Sequence, residues 1–130
     1  MKFKIDTREK FTVITPNIEK LSDNITEELL QTAANCLQSN IKNVVLNLNI
    51  VTDIDDAAAE RLVKIQQQFY ESNASFVICE MQKNVEKKLD EMELLDMMNV
   101  TPSESEAWDI VQMEEIEREL LDSDDVEFEE

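Results

Sequence analysis

Apolar and polar positions alternate at the start of the chain: Phe3 and Ile5 are interleaved with lysines, and Phe11 and Val13 flank Thr12 ahead of Thr15. A period of two sends alternate side chains to opposite faces of an extended segment. Two short strands are therefore predicted on either side of the polar turn Thr7 to Lys10, as an opening hairpin. Pro16, which has no N–H to donate, ends the second strand. The period then lengthens. Ile25, Leu29, Leu30, Ala33, Cys36 and Leu37 recur at helical spacing behind Ser22 or Asn24, either of which can cap, and predict a helix over about 24–39.

Ile41 and the nearly continuous apolar run Val44 to Leu48 predict a strand covered on both faces, hence one in a sheet centre. After the connection Asn49 to Asp55, the positions Ala57, Ala58, Ala59, Leu62, Val63, Ile65 and Phe69 predict a second helix ending near Ser72. Ser75 to Cys79 is another compact buried strand. Val85, Leu89, Met92, Leu94 and Leu95 mark a third helix, and Asn99 to Thr101 a short extended piece stopped by Pro102. Ser103 with Glu106 forms a capping box that opens a last helix, with Ala107, Ile110, Val111 and Ile116 on its inner face and Leu120 or Leu121 closing it. This order predicts an α/β domain over residues 1–121, a mixed four- to five-stranded sheet with about four helices and right-handed parallel crossovers. From Asp122 to Glu130 the run is too charged to pack and is expected to be a mobile acidic tail.

Composition narrows the function. A chain of 130 residues can bury a continuous core, about two-thirds of its unfolded surface, without disulfides or metals. The formal net charge of −18 disfavours nucleic acid and anionic membranes, both of which are held by clustered Lys and Arg. Residues 113–130 hold ten acidic side chains and one basic, a net of −9 and so half of the total. Glycine is absent, which removes the phosphate-cradling loop, the dinucleotide fingerprint and the nucleophile elbow. No histidine and no close cysteine pair means no usual zinc or redox motif. The opening MKFKIDTREK lacks an apolar run followed by small residues, and no stretch approaches the ~20 apolar residues of a membrane span, so reduced thiols and a cytoplasmic location are expected.

The order of elements and the stretch Val44-Val45-Leu46-Asn47-Leu48-Asn49-Ile50-Val51-Thr52-Asp53-Ile54-Asp55 resemble the STAS domain of anti-sigma-factor antagonists, over about residues 3–121. A second similarity runs from Asn84-Val85-Glu86-Lys87-Lys88-Leu89 to Met97-Met98-Asn99-Val100. The resemblance implies binding to an anti-sigma factor or serine-kinase-like partner, no catalysis and no cofactor. The partner-binding residues it implies are Thr52, Asp53, Asp55, Asp56, Ala57 and Ala58. In that family the motif runs Asp-Ser-Ser-Gly-Leu, and the partner phosphorylates its first serine. Here Asp55 keeps the aspartate, Asp56 stands at the phosphoacceptor position, Ala57 at the next hydroxyl and Ala58 at the glycine. Asp55 to Leu62 contains no hydroxyl, so this stretch cannot be phosphorylated on serine or threonine.

An aspartate carries about one negative charge against about −1.5 to −2 for phosphoserine. Asp56 either mimics the phosphorylated, partner-released state or belongs to a protein that has left the phosphorylation circuit. Members of the same family also serve as regulatory subunits of membrane transporters, lipid-transport ATPases included, which is the alternative partner class. Each feature also has a structural role: Asp55 and Asp56 suit a helix N-terminus, for ~0.5–2 kcal/mol. Met92, Met97, Met98 and Trp108 suit core filling before partner anchoring, and Cys36 and Cys79 are small buried side chains. The acidic tail serves solubility or, alternatively, steers a basic partner.

Overall fold

The computed structural model of the chain describes residues 3–127, with side-chain surroundings for residues 3–120. The hairpin forms as predicted, β1 (Phe3–Thr7) antiparallel to β2 (Phe11–Pro16), with Ile5 opposite Ile14. A two-residue strand, β3 (Lys20–Leu21), precedes α1 (Asp23–Cys36). Then come β4 (Asn43–Asn47), a second two-residue strand β5 (Asp53–Ile54), α2 (Asp56–Glu71), β6 (Phe76–Cys79), α3 (Lys83–Glu91), a 3₁₀ turn at Leu95–Met97, β7 (Val100–Thr101) and α4 (Glu104–Glu127). The main sheet has the order β1-β2-β4-β6-β7, parallel except at β1, and β3 and β5 pair apart from it.

β4 occupies the centre, as its unbroken apolar run requires, because a strand buried on both faces has no polar side to alternate with. The in-register row Val13–Val45–Val77 faces α4, with Phe11, Cys79, Ala107 and Val111 closing that core. The neighbouring row Ile14–Leu46–Ile78 faces α1, α2 and α3, where Leu29, Leu62, Phe69, Val85 and Leu89 are buried. Burying each such side chain contributes about 1.5–3 kcal/mol, so most of the stability lies on the two faces of β4 and β6.

Without glycine, the chain ends two helices on other residues in the left-handed region. Asn73 (φ 60°) follows α2, where its N–H donates to Tyr70 O and that of Ala74 to Phe69 O. Glu93 (φ 62°) follows α3 in the same arrangement, through Asp90 O and Leu89 O. Both are Schellman terminations, which satisfy carbonyls that the helix end would leave orphaned. Asn tolerates this conformation; Glu holds it at some steric cost.

Several predictions from the sequence need correction. The first helix ends at Cys36 rather than near 39, because Ser39 Oγ donates to Cys36 O and Ile41 O and accepts from Ile41 N, folding the chain into a turn. The third helix stops at Glu91, with Leu94 and Leu95 packing on the core from beyond it. Met98 is buried and Met92 packs on the core, but Met97 is exposed. Ile116 and Leu120 do not face inward; both are exposed. Beyond Val111 the inward positions of α4 are Glu114 and Arg118, which bond the polar ends of the sheet strands. The backbone of α4 stays helical past Leu121 to Glu127. The rest of the expected acidic tail, and all side chains from 121 onward, lie outside the described residues.

Candidate functional site

The region singled out at Thr52 to Ala58 lies at the carboxyl end of β4, where the crevice of a parallel α/β sheet opens. What positions it is the small sheet that periodicity did not reveal. Lys20 pairs with Asp53 and Leu21 with Ile54, and the Leu21 and Ile54 side chains are fully buried. Backbone bonds complete the tie: Thr52 N donates to Glu19 O (2.7 Å) and Asp55 N to Leu21 O (3.0 Å). Val51 and Ile54 are anchored in the core, and the two residues between them, Thr52 and Asp53, face solvent.

Asp55 is the N-cap of α2 in position, yet its side chain makes no cap bond to that helix. Its Oδ2 accepts from the backbone N–H of Asp23 at 3.2 Å, and its Oδ1 lies 3.4 Å from Lys20 Nζ. The carboxylate therefore serves the N-terminus of α1, where the free N–H groups favour negative charge. Asp23 in turn is held by Arg61 Nε at 2.5 Å, and that hydrogen bond lowers its carboxyl below the ordinary value of 3.8. Asp56 projects from the first turn of α2 with its side chain 76% exposed, 3.0 Å from Lys88 Nζ. Lys88, on α3, also donates to Ile54 O. The site thus combines four carboxylates, Asp23, Asp53, Asp55 and Asp56, with three cations, Lys20, Arg61 and Lys88.

Of the residues singled out from the sequence, Thr52, Asp53, Asp56 and Ala57 are exposed together on one surface, and Asp55 is half-buried behind them. Ala58 is the exception. Its side chain is fully buried in the core, so it packs α2 rather than touching a partner. Sequence reading missed Lys20, Asp23, Arg61 and Lys88, which lie more than thirty positions from their partners and leave no local signal. It also missed an apolar groove of about 560 Å³ along the sheet edge, lined by Phe3, Lys4, Ile5, Thr15, Asn17 and Ile50. Ile50 belongs to the loop that leads from β4 to the aspartates.

The carboxylates are paired with cations rather than with each other, and among the described residues no group of three or more His, Cys, Asp or Glu side chains is placed to hold a metal ion. Cys79 is fully buried in the face under α4; burial, with Glu104 and Glu80 adding negative charge, pushes its thiol up to about 12. A thiol so placed is a core side chain, not a nucleophile. Among the described residues no helix is long and apolar enough to cross a membrane.

Residues 8–107 match the model of the STAS domain. The chain belongs to the STAS domain family. Its fold is similar to that of a candidate anti-sigma factor antagonist from Thermotoga maritima (20% identity, 85% of this chain and 94% of that one, TM-score 0.75). It is also similar to the anti-sigma factor antagonist SpoIIAA of Bacillus in its unphosphorylated form (15% identity, 85% and 96%, TM-score 0.68). A third likeness, to the murine anion transporter Slc26a9, has 14% identity and a TM-score of 0.66; it takes in 83% of this chain but 18% of the transporter. No curated protein matches by sequence. The chain thus has the STAS fold, shared with anti-sigma-factor antagonists and with an anion transporter.

Proposed function

We propose that the protein is a STAS-type antagonist that binds an anti-sigma factor or a serine-kinase-like regulator through the Thr52 to Ala57 surface. Binding is constitutive, because the switch position is not subject to phosphorylation. The observation that carries this reading is the exposed Asp56–Lys88 pair at the start of α2. A carboxylate opposite an ammonium 3.0 Å away presents less net charge than a free phosphate, so Asp56 is a poor imitation of the released state. It serves better as a recognition point, with the apolar groove of Phe3, Ile5 and Ile50 supplying the water-excluding part of the contact. Chemistry on a substrate plays no part.

The test is affinity capture from the native lysate with the full chain and with Asp56→Arg. The expected result is recovery of an anti-sigma-factor or kinase-like protein, at least about tenfold depleted on the variant, the scale of a central interface substitution. The captured partner, supplied with ATP, should leave the intact mass of the chain unchanged. Equal recovery on both baits, or a gain of one phosphate, would sink the proposal. The likeness to the STAS portion of an anion transporter favours a second reading, a regulatory subunit docked on a membrane transport ATPase. Recovery of such an ATPase subunit in the same experiment would select it.

A further inference from the structure

The last helix carries an apolar stripe that the fold does not use. α4 meets the sheet through Ala107, Ile110 and Val111, and its next inward positions bond polar groups. Glu114 accepts from Ser75 Oγ and Asn99 Nδ2, Glu115 accepts from Asn43 Nδ2, and Arg118 donates to Ser75 Oγ and Asn43 Oδ1. On the opposite side Met113, Ile116 and Leu120 are 52%, 54% and 56% exposed. Spaced three and four apart, they form one continuous ridge, the pattern of a helix face that packs against another helix.

Charge decides what can cover this ridge. Glu104 to Glu127 includes eleven acidic residues and one basic, and that one, Arg118, is turned inward to the sheet. Asp109, Glu117 and Glu119 stand exposed around the ridge. A second copy of α4 would bring like charges face to face, which costs affinity at every flanking position. A helix with its own apolar stripe bordered by lysine or arginine would gain at the same positions.

We propose that Met113, Ile116 and Leu120 form a docking ridge for a basic amphipathic helix of another protein. It is separate from the Thr52 to Ala57 surface. α4 starts beside Asn47, at the carboxyl end of β4, and reaches Asn43 and Ser75, at the amino ends of β4 and β6, with Glu114 and Glu115. The ridge therefore sits at the far end of the sheet from Asp56, and both surfaces can be occupied at once. A module with two such faces joins two proteins.

The test is calorimetric titration of the full chain with two synthetic helical peptides, both with leucine at heptad positions a and d, one with lysine and one with glutamate at e and g. The expected result is binding of the lysine peptide alone, with affinity reduced at least about tenfold in the triple variant Met113→Ala, Ile116→Ala, Leu120→Ala. Alanine preserves helix propensity, and circular dichroism of the variant should match the parent. Asp56→Ala should bind the lysine peptide as the parent does, even if the first proposed surface fails its own test. Absence of binding, equal binding of both peptides, or undiminished binding by the triple variant overturns the proposal. So does sedimentation of the parent as a dimer that the triple variant does not form, since the ridge would then be covered by a second copy.

Discussion

Asp55 and Asp56 are adjacent in sequence and do different work. Asp55 is drawn away from its own helix to the first N–H of α1 and to Lys20, so it joins two helix starts; Asp56 reaches outward to Lys88 on α3. Replacing Asp55 therefore disturbs the scaffold, and replacing Asp56 alters only the surface. The Asp23–Arg61 contact makes the pH dependence explicit. The folded-state pKa of Asp23 is depressed, so its contribution is present above the unfolded value near 3.8 and is lost as pH falls through the lower folded value. Thermal melts of the parent and Asp23→Asn should differ at neutral pH, with the parent more stable, and the gap should close below about pH 4. A gap that persists at pH 2 would place the effect elsewhere.

The elements differ in how far local pattern explains them. β4 and β6, α2 and the capping box of α4 are legible because each satisfies its own rule: an unbroken apolar run, a helical stripe, and Ser103 Oγ accepting from Glu106 N. α4 is legible only halfway. Past Val111 it is fastened by polar groups, with the buried Asn43 at their centre: its amide donates to Lys10 O and Glu115, and its carbonyl accepts from Ser75 N. Asn43→Ala removes the partner of the buried Ser75 N and of Lys10 O, while Glu115 keeps its ion pair with Lys10. It should cost about 1–3 kcal/mol in urea denaturation, with helical content retained at low denaturant. A loss below the error of the measurement would mean water substitutes for the amide.

For the whole molecule, the uneven charge matters more than any pair. Ending the chain after Leu121 removes Asp122, Asp124, Asp125, Glu127, Glu129 and Glu130, taking the formal net charge from −18 to −12. Both cores are built from residues before that point, so the melting temperature should hold. Association of the shortened chain with the lysine peptide should be slower and less salt-sensitive in stopped-flow measurements, as loss of a steering field requires. Equal rates would leave the removed residues with a solubility role alone.

From the sequence alone come the hairpin, the buried central strands, the helix starts and the absence of any hydroxyl between Asp55 and Leu62. These follow from period, cap chemistry and residue identity, all local properties. The β3–β5 pairing, the cations that neutralise the acidic loop, the burial of Ala58 and the outward turn of Met113, Ile116 and Leu120 were decided by tertiary structure. A two-residue strand has no period to read, and a salt bridge across thirty positions has no spacing. An apolar residue on a helix shows which side it shares with its neighbours, but not whether that side meets the sheet. In α4 that was settled by Glu114 and Arg118, which found hydrogen-bond partners on the sheet and turned the apolar stripe to solvent.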